Sequence, residues 1–295
     1  MPKGTKKKVN NKTEPAMPQD EVREEEFESD DWSYDPKGSS AGCVFGVPGC
    51  GKTYLLGLAL KHNLIETAFV IDTDRGLKPL KQMGVLDRVE FKFYRDFDYQ
   101  KPVAYTEMFN DLADFADGKF EHGIVRGTWV GSEVKKGAIP SLICMDSLSG
   151  TSRITMNQVL SDRKGIKQKK DAYHPTDAEF ASLPDYGLFA TRMEELLDII
   201  TGLEVLFYCT AHEQPMSERE GHEDSTKVPQ IVGSIRRNLF RYFDEVWRLK
   251  AERSKDGGLY REAQTRADNF AMCRTRDNAM PEYIENPTLK EMLFR

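Results

Sequence analysis

Three features of the sequence predict an α/β protein with a mainly parallel sheet flanked by helices. The first is a set of short, nearly uninterrupted apolar runs at Ala41–Phe45, Thr67–Ile71, Ser141–Met145 and Glu204–Cys209. Runs of this length without polar alternation are the pattern of strands buried on both faces. The second is that helix-like stretches separate these runs, as parallel strands joined by crossovers require. The third is Gly46-Val47-Pro48-Gly49-Cys50-Gly51-Lys52-Thr53, a complete G-x-x-x-x-G-K-[ST] loop set between the first run and the first helix.

The first strand, Ala41–Phe45, enters that loop, and Lys52–Asn63 reads as a helix with leucines at 55, 56, 58 and 60. Strand, glycine loop and helix together form an anion cradle. Glycines let backbone N–H groups approach a phosphate, and the helix N-terminus adds its positive end. Gly46 through Thr53, with Tyr54 beside them, are therefore the candidate nucleotide-binding residues. Lys52 is expected to reach the β- and γ-phosphates, and the Thr53 hydroxyl to hold Mg²⁺. The alternative is a glycine-rich turn with an incidental Lys-Thr.

Further along the chain, Thr67–Ile71 is followed by Asp72-Thr73-Asp74-Arg75-Gly76, and Val89–Tyr94 reads as a weaker strand. A helix is expected around Tyr105–Ala116, and residues 119–140 read as a hairpin insertion without an assigned role. Ser141–Asp146 is the third buried strand, and residues 149–184 read as a polar, punctuated segment. A helix over Tyr186–Thr201 leads to the fourth buried strand, Glu204–Thr210. A charged loop is then expected over Glu213–Lys227, a helix over Ile231–Phe243, a strand over Glu245–Leu249 and a strand pair over Tyr260–Arg276. Residues 1–39 are compositionally a disordered tail, basic and then acidic, so the domain is expected to occupy 40–295.

The chain has 295 residues, 31% charged and 39% hydrophobic, with a net charge of −6. This balance argues against a protein that coats duplex DNA by bulk attraction. The tail is not its only acidic source, since residues 1–40 hold 7 Lys/Arg against 10 Asp/Glu. Basic residues concentrate at Arg163–Lys170 and Arg236–Arg276, which keeps a local track for a polyanion open. No apolar run approaches a membrane span, and the first residues do not resemble a secretory signal. The five cysteines have no paired spacing, which fits a reducing cytoplasm, the host's if the source is viral.

A triphosphatase also needs an acid for Mg²⁺, a group to orient the attacking water and a sensor of the γ-phosphate. The strand ends offer each. Asp146 is the metal-supporting candidate, Asp74 the catalytic acid, and His212, with Thr210 before it, the γ-phosphate reader. Each residue taken singly also fits an ordinary cap or loop position.

In order, GVPGCGKT, FVIDTDRGL, LICMDSLS and FYCTAHEQ resemble the RecA-like ATPase core. The resemblance is nearest to phage-encoded, Sak-type single-strand annealing ATPases, and it spans residues 40–290. It implies that Asp74 polarises the attacking water, although it is one methylene shorter than the glutamate usual there. It also implies that Arg274 and Arg276, in Met272–Asp277, reach a neighbouring subunit's nucleotide. Implied with these are ATP and Mg²⁺, self-association, single-stranded DNA as partner, and recombination or annealing as the process. A single-strand-binding protein is a further candidate partner; a membrane is not. DNA contacts are expected in the loops after the third and fourth strands, with Arg163, Lys164, Lys167, Lys169 and Lys170 as candidates. A hexameric helicase or packaging-type motor, a nucleotide-gated switch with little turnover, and a small-molecule kinase stay open.

Overall fold

The structure, a computed structural model, describes residues 40–98, 101–116, 141–166, 181–203, 205–215, 226–232, 238–253 and 259–294. The candidate tail, the 119–140 insertion and Lys167, Lys169 and Lys170 lie outside the described residues. Of Lys164 only the backbone is described.

Among the described residues the strands are β1 (Ala41–Gly46), β2 (Ala68–Asp72), β3 (Val89–Phe93), β4 (Leu142–Asp146), β5 (Leu206–Pro215), β6 (Lys227–Pro229), β7 (Glu245–Arg253), β8 (Leu259–Gln264) and β9 (Tyr283–Glu285). The helices are α1 (Lys52–Lys61), α2 (Lys78–Gln82), α3 (Ala104–Ala116), α4 (Leu148–Ile166), α5 (Leu183–Thr201) and α6 (Leu289–Leu293). The sheet runs β3-β2-β4-β5-β1-β7-β8-β9, with β6 paired to β5. From β3 to β7 all neighbours are parallel, and the β7–β8 and β8–β9 pairs are antiparallel. This is the mainly parallel α/β sheet flanked by helices that the sequence predicts.

Every residue of β1, β2 and β4 is buried, as apolar runs without alternation require. Alternate side chains feed two cores. Cys43 and Phe45 join Phe69, Ile143, Phe207 and the α3–α5 face, while Val44 joins Val70, Leu142, Tyr208 and the α1 face. The second core holds Leu55, Leu56, Ala59 and Leu60 of α1 with Trp247, Leu249 and Ala263 of the β7–β8 ribbon.

Three sequence expectations are corrected. The polar segment begins with a 19-residue helix, α4. Its polar residues conceal it because they are buried and satisfied inside the helix. Thr151 Oγ1 donates to Ser147 O at 3.1 Å and Thr155 Oγ1 to Thr151 O at 2.9 Å. The expected Tyr260–Arg276 strand pair is β8 alone; beyond it Ala271 makes a single bridge to Lys227 of β6 and Arg274 one to Val246 of β7, and the third ribbon strand lies later, at Tyr283–Glu285. Of the expected Ile231–Phe243 helix, residues 233–237 lie outside the described residues; Ile231 and Val232 are not helical, and Leu239–Tyr242 is one 3₁₀ turn.

Candidate nucleotide-binding site

Parallel register places the polar strand ends in one row. Asp72 lies beside Asp146, Met145 beside Cys209, and His212 beside Gly46 at the mouth of the loop. Because β5 separates β1 from β4, its Thr210–His212 end sits between the loop and the acidic strand.

The Gly46–Thr53 loop turns immediately into α1, with Gly51 at the N-cap in the left-handed region (φ 106°) and Gly49 likewise at φ 83°. Gly46 is required for another reason: a Cβ there would lie 2.3 Å from Leu249 O of β7. The Lys52 ammonium is buried within the loop, donating to Gly46 O at 2.9 Å and Val47 O at 3.0 Å, with Cys50 Sγ at 3.8 Å. Tyr208 OH holds the other side of that residue by donating to Lys52 O at 2.7 Å. Val47 is exposed and Cys50 is buried; burial pushes the Cys50 thiol up, against the pull of Lys52.

Opposite the loop, Thr53 Oγ1 donates to Asp146 Oδ2 at 2.9 Å and Thr210 Oγ1 to Asp146 Oδ1 at 2.5 Å. Burial raises the Asp146 pKa, and the two hydroxyls oppose that rise. Asp72 is pushed up to about 6, first by burial and then by the charge of Asp146, while three backbone N–H groups oppose the rise. Those donors are Asp74, Arg75 and Gly76 at 3.1, 2.6 and 3.3 Å from Oδ1, so Asp72 is the residue that shapes the turn carrying Asp74.

Asp74 faces the same opening. Its Oδ2 accepts from Ser147 Oγ and, at 3.1 Å, from His212 Nε2; Arg153 of α4 lies 3.6 Å from its Oδ1. Burial acts to raise its pKa, but the His212 and Ser147 bonds and the charges of His212 and Arg153 outweigh it, leaving Asp74 below the usual range. A latch fixes this group: Thr73 Oγ1 donates to Ser147 O and accepts from Ser147 N, both at 2.9 Å. His212 N is in turn held by Ser149 Oγ at 2.9 Å.

Loop and acids together fit a nucleotide with Mg²⁺. Lys52 and the helix N-terminus supply positive charge inside the turn, and a hydroxyl with a carboxylate is the hard-oxygen donor set Mg²⁺ takes. Thr53 and Asp146 are the residues that would hold the ion.

Arg274 and Arg276 sit elsewhere. The Arg274 backbone bridges Val246, which lies beside Cys43, and its guanidinium donates to Phe240 O. Arg276 pairs with Asp244 at 2.7 Å, and the other Asp244 oxygen accepts Ala41 N at 2.9 Å, at the start of β1. The loop leaves the far end of β1, roughly 16 Å of strand away, beyond the reach of Arg276 within one chain. Arg163 lies on α4, where its guanidinium pairs with Asp185 of the capping box that opens α5.

Residues 40–275 match a family model described as an AAA domain. The chain belongs to that family. The AAA domain is a P-loop nucleotide-binding fold, and its matched span contains the loop, both acids and Arg274. Among solved structures, the chain is similar to the RadB recombinase, at 14% identity and a TM-score of 0.41, covering 83% of this chain and 86% of that one. It is also similar to the flagellar accessory protein FlaH from Methanocaldococcus jannaschii, at 12% identity and a TM-score of 0.38, covering 83% and 84%. Comparison with curated proteins finds no match.

Sequence reasoning passed over Thr73, Ser149 and Arg153 and gave Ser147 no role. Thr73 and Ser147 carried a signal, since each adjoins a named acid. Arg153 carried none, because the helix that aims it was not expected.

Proposed function

We propose that this AAA domain is an ATP-hydrolysing, RecA-like protein that acts on single-stranded DNA in recombination or annealing, as a homo-oligomer. The observation that carries the ATPase part is the convergence of Lys52, Thr53, Asp146, Thr210, Asp74 and His212 at one row of strand ends. Bound Mg²⁺ would neutralise phosphate charge there. Lys52 and the loop N–H groups bind and orient the phosphates, and Thr210 holds Asp146 in place.

Asp74 is held ionised by its neighbours, so it is a weak proton acceptor. Its role is to orient a water molecule through a fixed carboxylate oxygen. His212 bridges Asp74 to the β5 end beside the loop, which suits a sensor of the terminal phosphate. The remote position of Arg276 supports a role on a neighbouring subunit's nucleotide. The DNA part rests on the resemblance and on the basic run Lys164–Lys170 that follows Arg163; the later members of that run lie outside the described residues, and Arg163 itself is engaged by Asp185. The same fixed, weakly basic Asp74 favours one second reading, a nucleotide-gated switch with slow turnover.

Steady-state ATPase with and without single-stranded DNA, with Lys52→Ala and Asp74→Asn alongside, tests the proposal. Stimulation by DNA and its loss in both variants are expected. DNA-independent turnover would point to a kinase, and tight binding without turnover to the switch.

A further inference from the structure

The β7–β8 ribbon rises past Gly46, and the face it turns toward α1 ends in a cation. Arg261 and Ala263 are two apart on β8 and so share a face. Ala263 is buried in the core with Leu55 and Leu56 of α1. Arg261, one step nearer the hairpin, therefore lies over the N-terminus of α1. Its guanidinium carbon stands 4.1 Å from the centroid of the Tyr54 ring. Its Nε lies 2.5 Å from the position a Cβ would take on Gly51, so the side chain rests on the phosphate loop. That Nε is buried and has no hydrogen-bond partner among the described residues.

A buried, unsatisfied donor on a permanent cation is costly to keep. Placed against an anion-binding loop, it is explained by an anion that arrives. Its location says which part of the anion. Thr53 faces Asp146, on the metal and γ-phosphate side, whereas Tyr54, about 100° farther around α1, faces Arg261. The handhold is thus on the other flank of the loop, where a nucleotide whose terminal phosphates lay beside Thr53 and Asp146 would extend its α-phosphate and base.

We propose that Arg261 is a nucleotide-binding arm supplied by the same chain, holding the α-phosphate end of a nucleoside di- or triphosphate, with Tyr54 as its stacking platform. This rests on the nucleotide reading above. It assigns to β8 a role that neither the loop motif nor the strand-end acids contain.

The test is the equilibrium binding of fluorescent ATP and ADP to the full chain, for wild type, Arg261→Ala, Arg261→Lys and Arg261→Gln. An arm on the α-phosphate predicts that Arg261→Ala weakens ATP and ADP alike, by about tenfold or more. Lysine should recover part of the loss and glutamine little, with nucleotide-free melting temperatures close to wild type. Dissociation constants within twofold of wild type overturn the proposal, as does a loss confined to ATP, which would place Arg261 at the γ-phosphate. If Arg261→Ala does not fold, Arg261→Gln carries the same comparison. A wild type that binds neither nucleotide fails the ATPase reading itself, whereas equal binding by wild type and variants fails only the role of Arg261.

Discussion

Gly150 tests the rigidity of the support beneath Asp74, the proposed catalytic acid, because two effects there act in opposite directions. It sits in the first turn of α4, so helix propensity alone says that Gly150→Ala should stabilise the protein by about 1 kcal/mol. The tertiary structure says otherwise. The new Cβ would lie 2.2 Å from Thr73 Oγ1 and 2.9 Å from Asp74 Oδ1. Thr73 must then move by about 1 Å to regain an ordinary contact, and its two hydrogen bonds with Ser147 break together. Overpacking costs about 1–3 kcal/mol, and a buried N–H left without a partner costs about 1–3 kcal/mol more. The expected net, after the propensity gain is subtracted, is a destabilisation of about 1–5 kcal/mol, measured by urea unfolding with the m-value unchanged. Asp74 Oδ1 need yield only about 0.5 Å directly, but it adjoins the displaced Thr73, and a shift of up to about 1 Å should lower kcat by up to about 10²-fold, with nucleotide affinity little changed. A variant as stable as wild type or more so, with normal kcat, would show that Thr73 and Asp74 yield freely and that the latch is not a fixed support.

Asp74→Asn should bind ATP but turn it over at least 10²-fold more slowly, in the same assay. Its acid unfolding should also differ in a defined direction. The folded Asp74 pKa lies below the unfolded value of about 3.9, so its contribution is present above that value and lost as pH falls through the folded pKa. The variant should therefore lose less stability than wild type over that acid range. Arg276→Ala should lower assembled ATPase by about 10³-fold or more while leaving the ATP dissociation constant within twofold; a binding loss like that of Lys52→Ala would refute a role on the neighbour's nucleotide. Arg163→Ala should cost about 1 kcal/mol of stability through the exposed-edge pair with Asp185. Because that pairing with Asp185 occupies its guanidinium, Arg163, a DNA-contact candidate from sequence, should add little to single-stranded DNA affinity, read by anisotropy over a salt series, in contrast to neutralisation of Lys164, Lys167, Lys169 and Lys170.

Much of the fold was legible because its strongest signals are local. Strands β1, β2 and β4 are buried on both faces, so their residues are apolar without interruption and cannot pass for loops. The Gly46–Thr53 loop carries its chemistry in consecutive residues, since a phosphate cradle is made of backbone. Helix α4 was illegible because Thr151, Ser152, Thr155 and Asn157 are buried polar residues, several spending their hydrogen bonds on their own helix. The β8–β9 pairing was misread because β9 is three residues long and largely exposed, and it lies well beyond the expected strand.

By itself, the sequence determined the phosphate loop, the central buried strands and the identity of the acids that end them. Those follow from short-range rules: burial sets composition, and a tight turn around an anion demands glycine. Only the tertiary structure decided which strand end meets which. Parallel pairing in the order β2-β4-β5-β1 brings residues 74, 146 and 210 to the loop from far along the chain, and the ribbon beyond β7 lays Arg261 on Gly51. Such meetings depend on register and strand order, which are set by packing over the whole sheet and leave no mark in any one stretch of residues.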